Sequence, residues 1–405
     1  MVEVLTMWVE DRLPSKENTM QFLFWLSLGI VFYTFFGYGA LITLLAWLKP
    51  KKAIPELMEE DLPEVTLLIA AYNEEAIICE KLKNSLDLDY PADKLKIKVV
   101  TDGSDDQTPY LVRQFETVNL FHQPARKGKI AAVNRIMPMI DTPITIFSDA
   151  NVMINPEGLK LMVRHFQSNL VAAVSGEKRI VVRDQDGVSA KGEGLYWRYE
   201  SFLKQKDAAW NSLIGAAGEL FGIRTRLYAP VASNTIIEDF MITMGLAASG
   251  FKVAYEPEAT ASELASANTK EEMKRKVRIA AGGIQAVFKL ARLLNPIRHG
   301  KLSFQYISHR VLRWTLMPLS LFMAFVSAAW LYDTHWFFQW ALLLQIAFYG
   351  AAVVGFFKRN RAEKSKLFQV PYYFTFMHVC VIRGWIRYAS GKQKVTWDKA
   401  VRMGG

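Results

Sequence analysis

Residues 142–151 read Thr-Pro-Ile-Thr-Ile-Phe-Ser-Asp-Ala-Asn, and this stretch decides the fold. Its mostly apolar run at 144–147 is typical of a strand buried in a parallel sheet. The run leads into Asp149 and Asn151, and the carboxyl ends of such strands border the ligand crevice of an open α/β sheet. These two oxygen-bearing side chains can share a hard cation such as Mg²⁺ or Mn²⁺. The alternative is a strand that ends in ordinary turn residues, which Asp and Asn also favour.

Two further strand patterns precede this stretch, at residues 65–70 and 95–101. The first ends in Ala-Tyr-Asn-Glu-Glu and the second in Asp-Gly-Ser-Asp-Asp. Helical patterns lie between the strands, and strands that alternate with helices predict a doubly wound parallel sheet with one crevice. Beyond residue 170 the pattern is less regular, with short strands predicted at 171–175 and 253–255. The region as a whole predicts an α/β domain.

Composition allows a large core together with membrane segments, since 51% of the 405 residues are hydrophobic and 22% are charged. The formal net charge of +10 is concentrated beside long apolar stretches. That placement fits anionic lipid headgroups and the positive-inside rule, whereas nucleic-acid binding would need a basic and aromatic stripe that the sequence lacks. The two cysteines, Cys79 and Cys380, form no CxxC pattern, which argues against a zinc site or a disulfide framework.

The first long apolar stretch, residues 19–48, contains no charged residue and predicts a transmembrane helix. Basic residues follow it and place its carboxyl end in the cytoplasm, so residues 1–18 are predicted to be extracytoplasmic. The charged region at 55–270 is then a cytoplasmic domain. The protein is expected to be a multi-pass protein of the cell inner membrane.

Membrane-associated segments also follow the domain. Residues 271–300 are basic and then amphipathic, which predicts helices in the membrane interface; an amphipathic helix packed on the domain is the alternative. Residues 311–333 and 335–357 contain long uncharged runs and predict two transmembrane helices. Residues 367–386 predict a transmembrane or re-entrant segment, because a simple crossing would place the basic tail at 387–405 outside the cell.

The polar residues at the strand ends suit a nucleotide diphosphate. Tyr72 can stack on a base, while Glu74 and Asp102 can accept hydrogen bonds from base and ribose groups. The alternative for Tyr72 is packing at the rim of the crevice.

Positive charge for the diphosphate is available from two sides. Lys129 lies near the start of a predicted helix, where phosphate groups bind well. Arg275 and Arg278 can clamp the diphosphate from the other side, since guanidinium groups suit phosphate oxygens. The alternative for these arginines is a patch that faces solvent or lipid headgroups.

Five motifs occur in the order and spacing of the family 2 glycosyltransferases, which the sequence resembles. The flanking apolar helices are similar to those of its membrane-embedded branch, which includes cellulose, hyaluronan and poly-N-acetylglucosamine synthases. The resemblance covers about residues 60–300 and implies an α/β GT-A fold, a Rossmann-like mixed sheet embedded between transmembrane helices. The motifs are AAYNEE at 70–75, TDGSDD at 101–106, KGK at 127–129, DAN at 149–151 and IED at 237–239.

The resemblance also implies roles for individual residues. Asp149 and Asn151 stand in the place of the Asp-x-Asp metal motif, and Glu238 and Asp239 in the place of the catalytic pair, with Asp239 as general base. An inverting transfer needs one such base, because the nucleotide diphosphate departs as a stabilised anion. The implied substrate-binding residues are Tyr72, Glu74 and Asp102 for uridine, Lys129 for the diphosphate side, Gly218, Glu219 and Phe221 for the acceptor sugar, and Arg275 and Arg278 at the Gln-x-x-Arg-Trp position.

Three departures from the family pattern bear on function. Asn151 replaces an acidic residue, which removes one charge from the metal shell but keeps a carbonyl oxygen. Ile237 replaces a threonine. Residues 275–279 lack both the Gln and the Trp of the family motif, and without an aromatic ring at Ile279 processive synthesis is less strongly implied than for a cellulose-like synthase.

The expected function is inverting transfer of sugar from a UDP-sugar to a growing polysaccharide, with coupled export and possible export partner subunits. The nearest alternative is transfer of a single sugar to a lipid acceptor, such as polyprenyl phosphate or a diacylglycerol, which would form a glycolipid. A transporter with a nucleotide-binding domain is a third hypothesis. The apolar segments contain few of the ionisable groups that transport sites need, which argues against it.

Overall fold

The computed structural model describes residues 15–50, 54–181, 188–264, 269–358 and 366–393. The predictions made for residues 1–14, for the basic residues Lys51 and Lys52, for the loop at 359–365 and for the tail at 394–405 lie outside the described residues.

Eight strands form one sheet in the order β3-β2-β1-β4-β7-β6-β8-β5. The first four pair in parallel, whereas β7 runs antiparallel to both β4 and β6, so the sheet as a whole is mixed. The two short strands β3 and β5 were not predicted from the sequence. The strands are β1 Val65–Ala71, β2 Leu95–Thr101, β3 Val118–Phe121, β4 Ile144–Asp149, β5 Met153–Ile154, β6 Val171–Val181, β7 Leu220–Arg224 and β8 Lys252–Leu264.

Helices cover both faces of this sheet, because alternate side chains of each strand point to opposite faces. Along β1, Leu67 and Ile69 enter one core and Leu68 enters the other. The helices are α1 Lys16–Trp47, α2 Ile78–Leu86, α3 Thr108–Val112, α4 Lys129–Ile136, α5 Gly158–Val163, α6 Val188–Trp210, α7 Glu238–Ala248, α8 Thr269–Lys289, α9 Pro296–His299, α10 Lys301–Trp314, α11 Leu316–Trp330, α12 Trp336–Lys358 and α13 Lys366–Ala389.

Helix α8 covers much of the segment at 271–300 that was predicted to lie in the membrane interface, and that position stays a prediction. On its apolar face Ile284 and Val287 are buried in protein, whereas Phe288 is 56% exposed. A Cβ atom on Gly282 would lie 2.8 Å from the Ile237 side chain, and one on Gly283 would lie 2.6 Å from the Trp314 ring. The two successive glycines therefore let α8 lie close to both the Ile237 side chain and the Trp314 ring.

Two helices are long and apolar enough to cross a membrane within the described parts of the chain, α1 and α12. Helices α10 and α11 would make a third span if taken together, but they are bent by 56°. The bend falls at Thr315, where the backbone leaves helical geometry. The predicted span at 311–333 is therefore interrupted near its start, while α12 coincides with the prediction at 335–357.

The segment at 367–386, predicted to be transmembrane or re-entrant, forms part of one continuous helix, α13, which contains Pro371. One face of α13 carries Tyr372, Tyr373 and Phe376 and packs against α8, and its first turns contact α12. This aromatic face is therefore buried against protein.

Candidate active site

The turn after β4 is fixed by helix α2, which lies beneath it. The Lys81 ammonium is buried and donates to Ser148 Oγ and to the Val152 carbonyl, both at 2.8 Å. Burial lowers the pKa of Lys81 to about 7, although the Asp149 carboxylate opposes this shift. The Asn84 side chain pairs with both backbone groups of Ile154. The turn that carries Asp149 and Asn151 is thus held at both ends.

Lys129 joins two of the predicted site residues. Its ammonium lies 2.6 Å from Asp149 Oδ1 and 2.8 Å from Glu238 Oε1. Burial by itself would lower the pKa of Lys129, but the two carboxylates raise it above its usual value, so the side chain is a permanent cation. The end of β4 and the start of α7, which carry Asp149 and Glu238, therefore lie side by side, and we call the space between them the cleft.

Asp239 lies in the first turn of α7, beside Glu238. Burial and then the neighbouring Glu238 raise the pKa of Asp239 to about 7, with Lys129 acting in the opposite sense. For Glu238, burial would raise the pKa, but Lys129 and Arg278 lower it. A Cβ atom on Gly218 would lie 3.0 Å from Asp239 Oδ2, so the glycine leaves the carboxylate room. Because the pKa of Asp239 is raised and that of the adjacent Glu238 is lowered, the two carboxyl groups can have different roles in proton transfer.

Glu219 belongs to a buried group of four charged residues beside Asp239. The Lys178 ammonium contacts both Glu219 and Glu263. Arg275 lies 3.3 Å from Glu219 and 3.1 Å from Glu263. Burial would raise the pKa of Glu219, but Lys178 and Arg275 lower it to about 2. Arg275, predicted as a diphosphate clamp, is thus held by carboxylates on the Glu219 side of the cleft.

The predicted base-binding residues lie at the ends of β1 and β2. The guanidinium of Arg126 stacks 3.7 Å above the Tyr72 ring, on a face that the prediction assigned to a base. Asp102 is buried, and its carboxylate accepts hydrogen bonds from the backbone N–H groups of Lys127 and Gly128 at 2.7–2.9 Å. Asp102 therefore orders the loop before Lys129. The backbone N–H of Glu74 donates to Thr108 Oγ1 at 2.8 Å.

Phe221 and Arg278 were both predicted to bind substrate, and the structure gives each of them contacts within the protein. The Phe221 side chain is 1% exposed and stacks on Phe147 at 4.5 Å, so it lies in the core and cannot touch an acceptor sugar, contrary to the prediction. Arg278 donates to the Ile236 carbonyl at 2.9 Å and lies close enough to Glu238 to lower its pKa. Arg278 therefore supports the loop that enters α7.

Sequence reasoning missed Lys81, Arg126, Lys178 and Glu263. A signal existed for Lys81, because it shares the buried face of α2 with Ile78, Leu82 and Ser85 at helical spacing. A lysine on an apolar helix face is expected to have a buried partner. No comparable local signal marks Lys178, which becomes part of the site only through the pairing of β6 with β8.

The donor set of the cleft fits a hard divalent cation. Among the residues that the structure describes, no three His, Cys, Asp or Glu side chains are grouped as a complete metal site. One carboxylate and one amide oxygen suit Mg²⁺ or Mn²⁺, which commonly keep water and substrate phosphates as their remaining ligands. Asp149 and Asn151 would therefore hold the ion together with a diphosphate.

Several curated proteins are similar to this chain. A β-monoglucosyldiacylglycerol synthase of Trichormus variabilis is 29% identical over 171 residues, which are 41% of this chain and 36% of that protein. A poly-β-1,6-N-acetyl-D-glucosamine synthase of Staphylococcus aureus is 25% identical over 247 residues, 58% of each chain. The chain thus spans between a third and three fifths of the length of these relatives.

A solved structure and a family profile complete the comparison. The mannosyltransferase of Pyrobaculum calidifontis, solved in complex with GDP-Man and Mn²⁺, superimposes with a TM-score of 0.68 at 22% identity, over 91% of this chain and 99% of that one. This likeness and the mixed sheet between helices establish the α/β GT-A fold. The profile described as "Glycosyltransferase like family 2" matches residues 63–282, more than half of the chain. The protein therefore belongs to the family 2 glycosyltransferases.

Proposed function

We propose that the protein is an inverting, metal-dependent glycosyltransferase of the cell inner membrane that uses a UDP-sugar, with its catalytic domain in the cytoplasm. The observation that carries this proposal is the shared cleft, in which Lys129 links Asp149 to Glu238 and Asp239 is the next residue. A carboxyl whose pKa is about 7 suits a general base at neutral pH.

The chemistry follows from the positions of the side chains. Asp239 takes the proton of the acceptor hydroxyl while that oxygen attacks the anomeric carbon of the donor sugar. The new glycosidic bond forms as the bond to the diphosphate oxygen breaks, and the electron pair leaves with UDP. Glu238, paired with Lys129, stays ionised and fixes the start of α7. Asp149 and Asn151 would hold a divalent metal, which would supply positive charge for the departing diphosphate.

The donor subsite is assigned to the strand ends. Tyr72, Glu74 and Asp102 would bind uridine, and the cations Lys129 and Arg278 border the diphosphate. The ion pairs of Arg275 with Glu219 and Glu263 favour a supporting role on the acceptor side in place of a phosphate clamp.

Two acceptor classes are supported by different observations. The poly-β-1,6-N-acetyl-D-glucosamine synthase relative supports a growing polysaccharide with coupled export. The β-monoglucosyldiacylglycerol synthase relative supports a membrane lipid. The described helices provide two or three candidate spans, which is compatible with either acceptor. Sizing the product separates the two, since a ladder of chain lengths requires a polysaccharide.

The test of the proposal is Asp239→Asn, compared with Asp93→Asn at an exposed position. Asp239→Asn should lower kcat by about 10³-fold or more through loss of the base, with UDP binding retained. UDP release during transfer and UDP binding by calorimetry measure the two effects. Normal turnover in Asp239→Asn would refute the assignment of the base, and absence of UDP-sugar turnover in the wild type would refute the function.

A further inference from the structure

Three buried lysines surround the indole ring of Trp197 on α6. The ammonium groups of Lys178, Lys204 and Lys276 lie 5.3, 5.1 and 5.5 Å from the ring centroid. Each comes from a different element, β6, α6 and α8. Such a concentration of buried positive charge around one aromatic ring is costly unless anions accompany it.

Lys204 lacks such an anion. Its side chain is buried, with the residue 2% exposed, and its Nζ has no hydrogen-bond partner within the described part of the chain. The Tyr255 ring lies 5.9 Å away on another side. The nearby Glu177 accepts hydrogen bonds from Tyr255 and Ser201 and forms no described ion pair with Lys204. A buried ammonium that lies over aromatic rings and has no hydrogen-bonded anion among the described residues can accommodate an anion from a ligand.

The lysine group is connected to the acceptor side of the cleft. Lys178 pairs with Glu219, and the preceding residue, Gly218, borders the Asp239 carboxylate. On the opposite side, α8 packs on α13, where the Tyr373 hydroxyl donates to Glu272 at 2.8 Å. The lysine group therefore adjoins the Glu219 ion pair on one side and helix α8, which packs on α13, on the other, and Trp197 at its centre is half-buried.

We propose that Lys204, with Lys276, binds the phosphate group of an anionic acceptor lipid whose headgroup hydroxyl receives the sugar. The proposal rests on the proposed function and narrows its acceptor from any membrane lipid to a phospholipid. The phosphate completes the ion pair that Lys204 lacks, and the indole of Trp197 covers the headgroup. A neutral diacylglycerol would leave the ammonium unpaired.

The experiment uses the full chain in nanodiscs of phosphatidylcholine that contain either phosphatidylglycerol or diacylglycerol. Lys204→Met is compared with Lys206→Met, which removes a lysine two residues away on the same helix. The rate of sugar transfer at varied lipid fraction and the Tm in each disc are measured. Lys204→Met should raise the KM for phosphatidylglycerol at least tenfold and abolish its stabilising effect on Tm. The KM for the UDP-sugar should not change, and Lys206→Met should behave as the wild type.

The other outcomes overturn the inference. Equal Tm shifts with phosphatidylglycerol in the wild type and Lys204→Met would show that no phosphate binds there. A raised UDP-sugar KM in Lys204→Met would assign the site to the donor diphosphate. Wild-type transfer to diacylglycerol alone, unaffected by Lys204→Met, would leave the proposed function standing and remove only the lysine site. If Lys204→Met fails to bind UDP because it is misfolded, Lys276→Met provides the same test.

Discussion

The two halves of the cleft neutralise their charges in different ways. On the donor side, Lys129 sits between Asp149 and Glu238, and the Asp102 carboxylate is held by backbone N–H groups. On the acceptor side, Lys178 and Arg275 are paired with carboxylates, whereas Lys204 has no hydrogen-bonded anion in the described residues. The donor side thus carries more carboxylates than ammonium groups, which suits a metal ion, while the acceptor side keeps one ammonium for an anionic ligand. The difference supports the proposal that Lys204 contributes to acceptor specificity.

Among the variants that test the difference between the two sides of the cleft, we expect Asp149→Ala to lower activity most. Loss of the carboxylate removes a metal ligand and leaves Lys129 paired with Glu238 alone, so kcat/KM for the UDP-sugar should fall by about 10³-fold. Chelation of the wild type should stop transfer, and Mg²⁺ or Mn²⁺ should restore it. Titration of Mn²⁺ against the rate of UDP release measures the effect. Activity that is indifferent to chelation would contradict the metal site on the donor side.

The pH dependence of the wild-type rate and stability tests the role of Asp239, which lies between the donor side and the acceptor side of the cleft. Asp239 must be ionised to accept a proton, so the rate should fall about tenfold per pH unit below its pKa of about 7. The raised pKa also means that the folded state favours the protonated form. Stability should therefore decrease as pH rises through 7, and Asp239→Asn should raise Tm relative to the wild type at pH 8 but not at pH 4. Thermal unfolding at both pH values checks the sign.

The donor half could be predicted from the sequence because its residues follow strands. The ends of β1, β2 and β4 are marked by local patterns, and parallel pairing brings them to one edge of the sheet. Phe221 was predicted to contact the acceptor sugar because it follows the small-residue loop at 216–220. It is part of β7, and the alternation of side chains along that strand points Phe221 into the core.

The acceptor half could not be predicted in the same way. Lys178 lies in the middle of β6 and Glu263 near the end of β8, so their contact depends on the register between two distant strands. The amphipathic pattern of helix α8 and the apolar segments that follow it predict a position in the membrane interface, whereas its contacts at Gly282 and Gly283 are with residues remote in sequence, which no local pattern shows.

Gly218→Ala tests the acceptor side with the smallest possible change. The new Cβ atom would lie 3.0 Å from Asp239 Oδ2, so the carboxylate must shift by a few tenths of an ångström. We expect kcat to fall about tenfold while the KM for the UDP-sugar is unchanged, since misplacement of a reacting group costs rate more than binding. Gly245→Ala on α7 is the control, because a Cβ atom there meets nothing within 4 Å. A raised KM for the UDP-sugar in Gly218→Ala would contradict the assignment of Gly218 to the acceptor side alone.

Lys81→Met should have the smallest effect and should be confined to the donor side. The variant removes the two hydrogen bonds that Lys81 makes to the turn after β4 and leaves the Val152 carbonyl without its ammonium partner. Because Lys81 acts through the turn and not on the substrate, the Kd for Mn²⁺ in the presence of UDP should rise by less than about tenfold. Lys83→Met, exposed on the same helix, is the matched control.

The stability of the Lys81 variant follows from the pKa of the wild-type side chain. The folded state holds that pKa at about 7, below the ordinary 10.5, so the wild type loses stability as pH falls from 10.5 towards 7. Lys81→Met removes this loss, and its Tm relative to the wild type should therefore be higher at pH 7 than at pH 10. If instead Lys81→Met altered the acceptor KM and left Mn²⁺ binding unchanged, the turn would serve the acceptor half of the cleft, and the proposed division of the cleft would fail at β4.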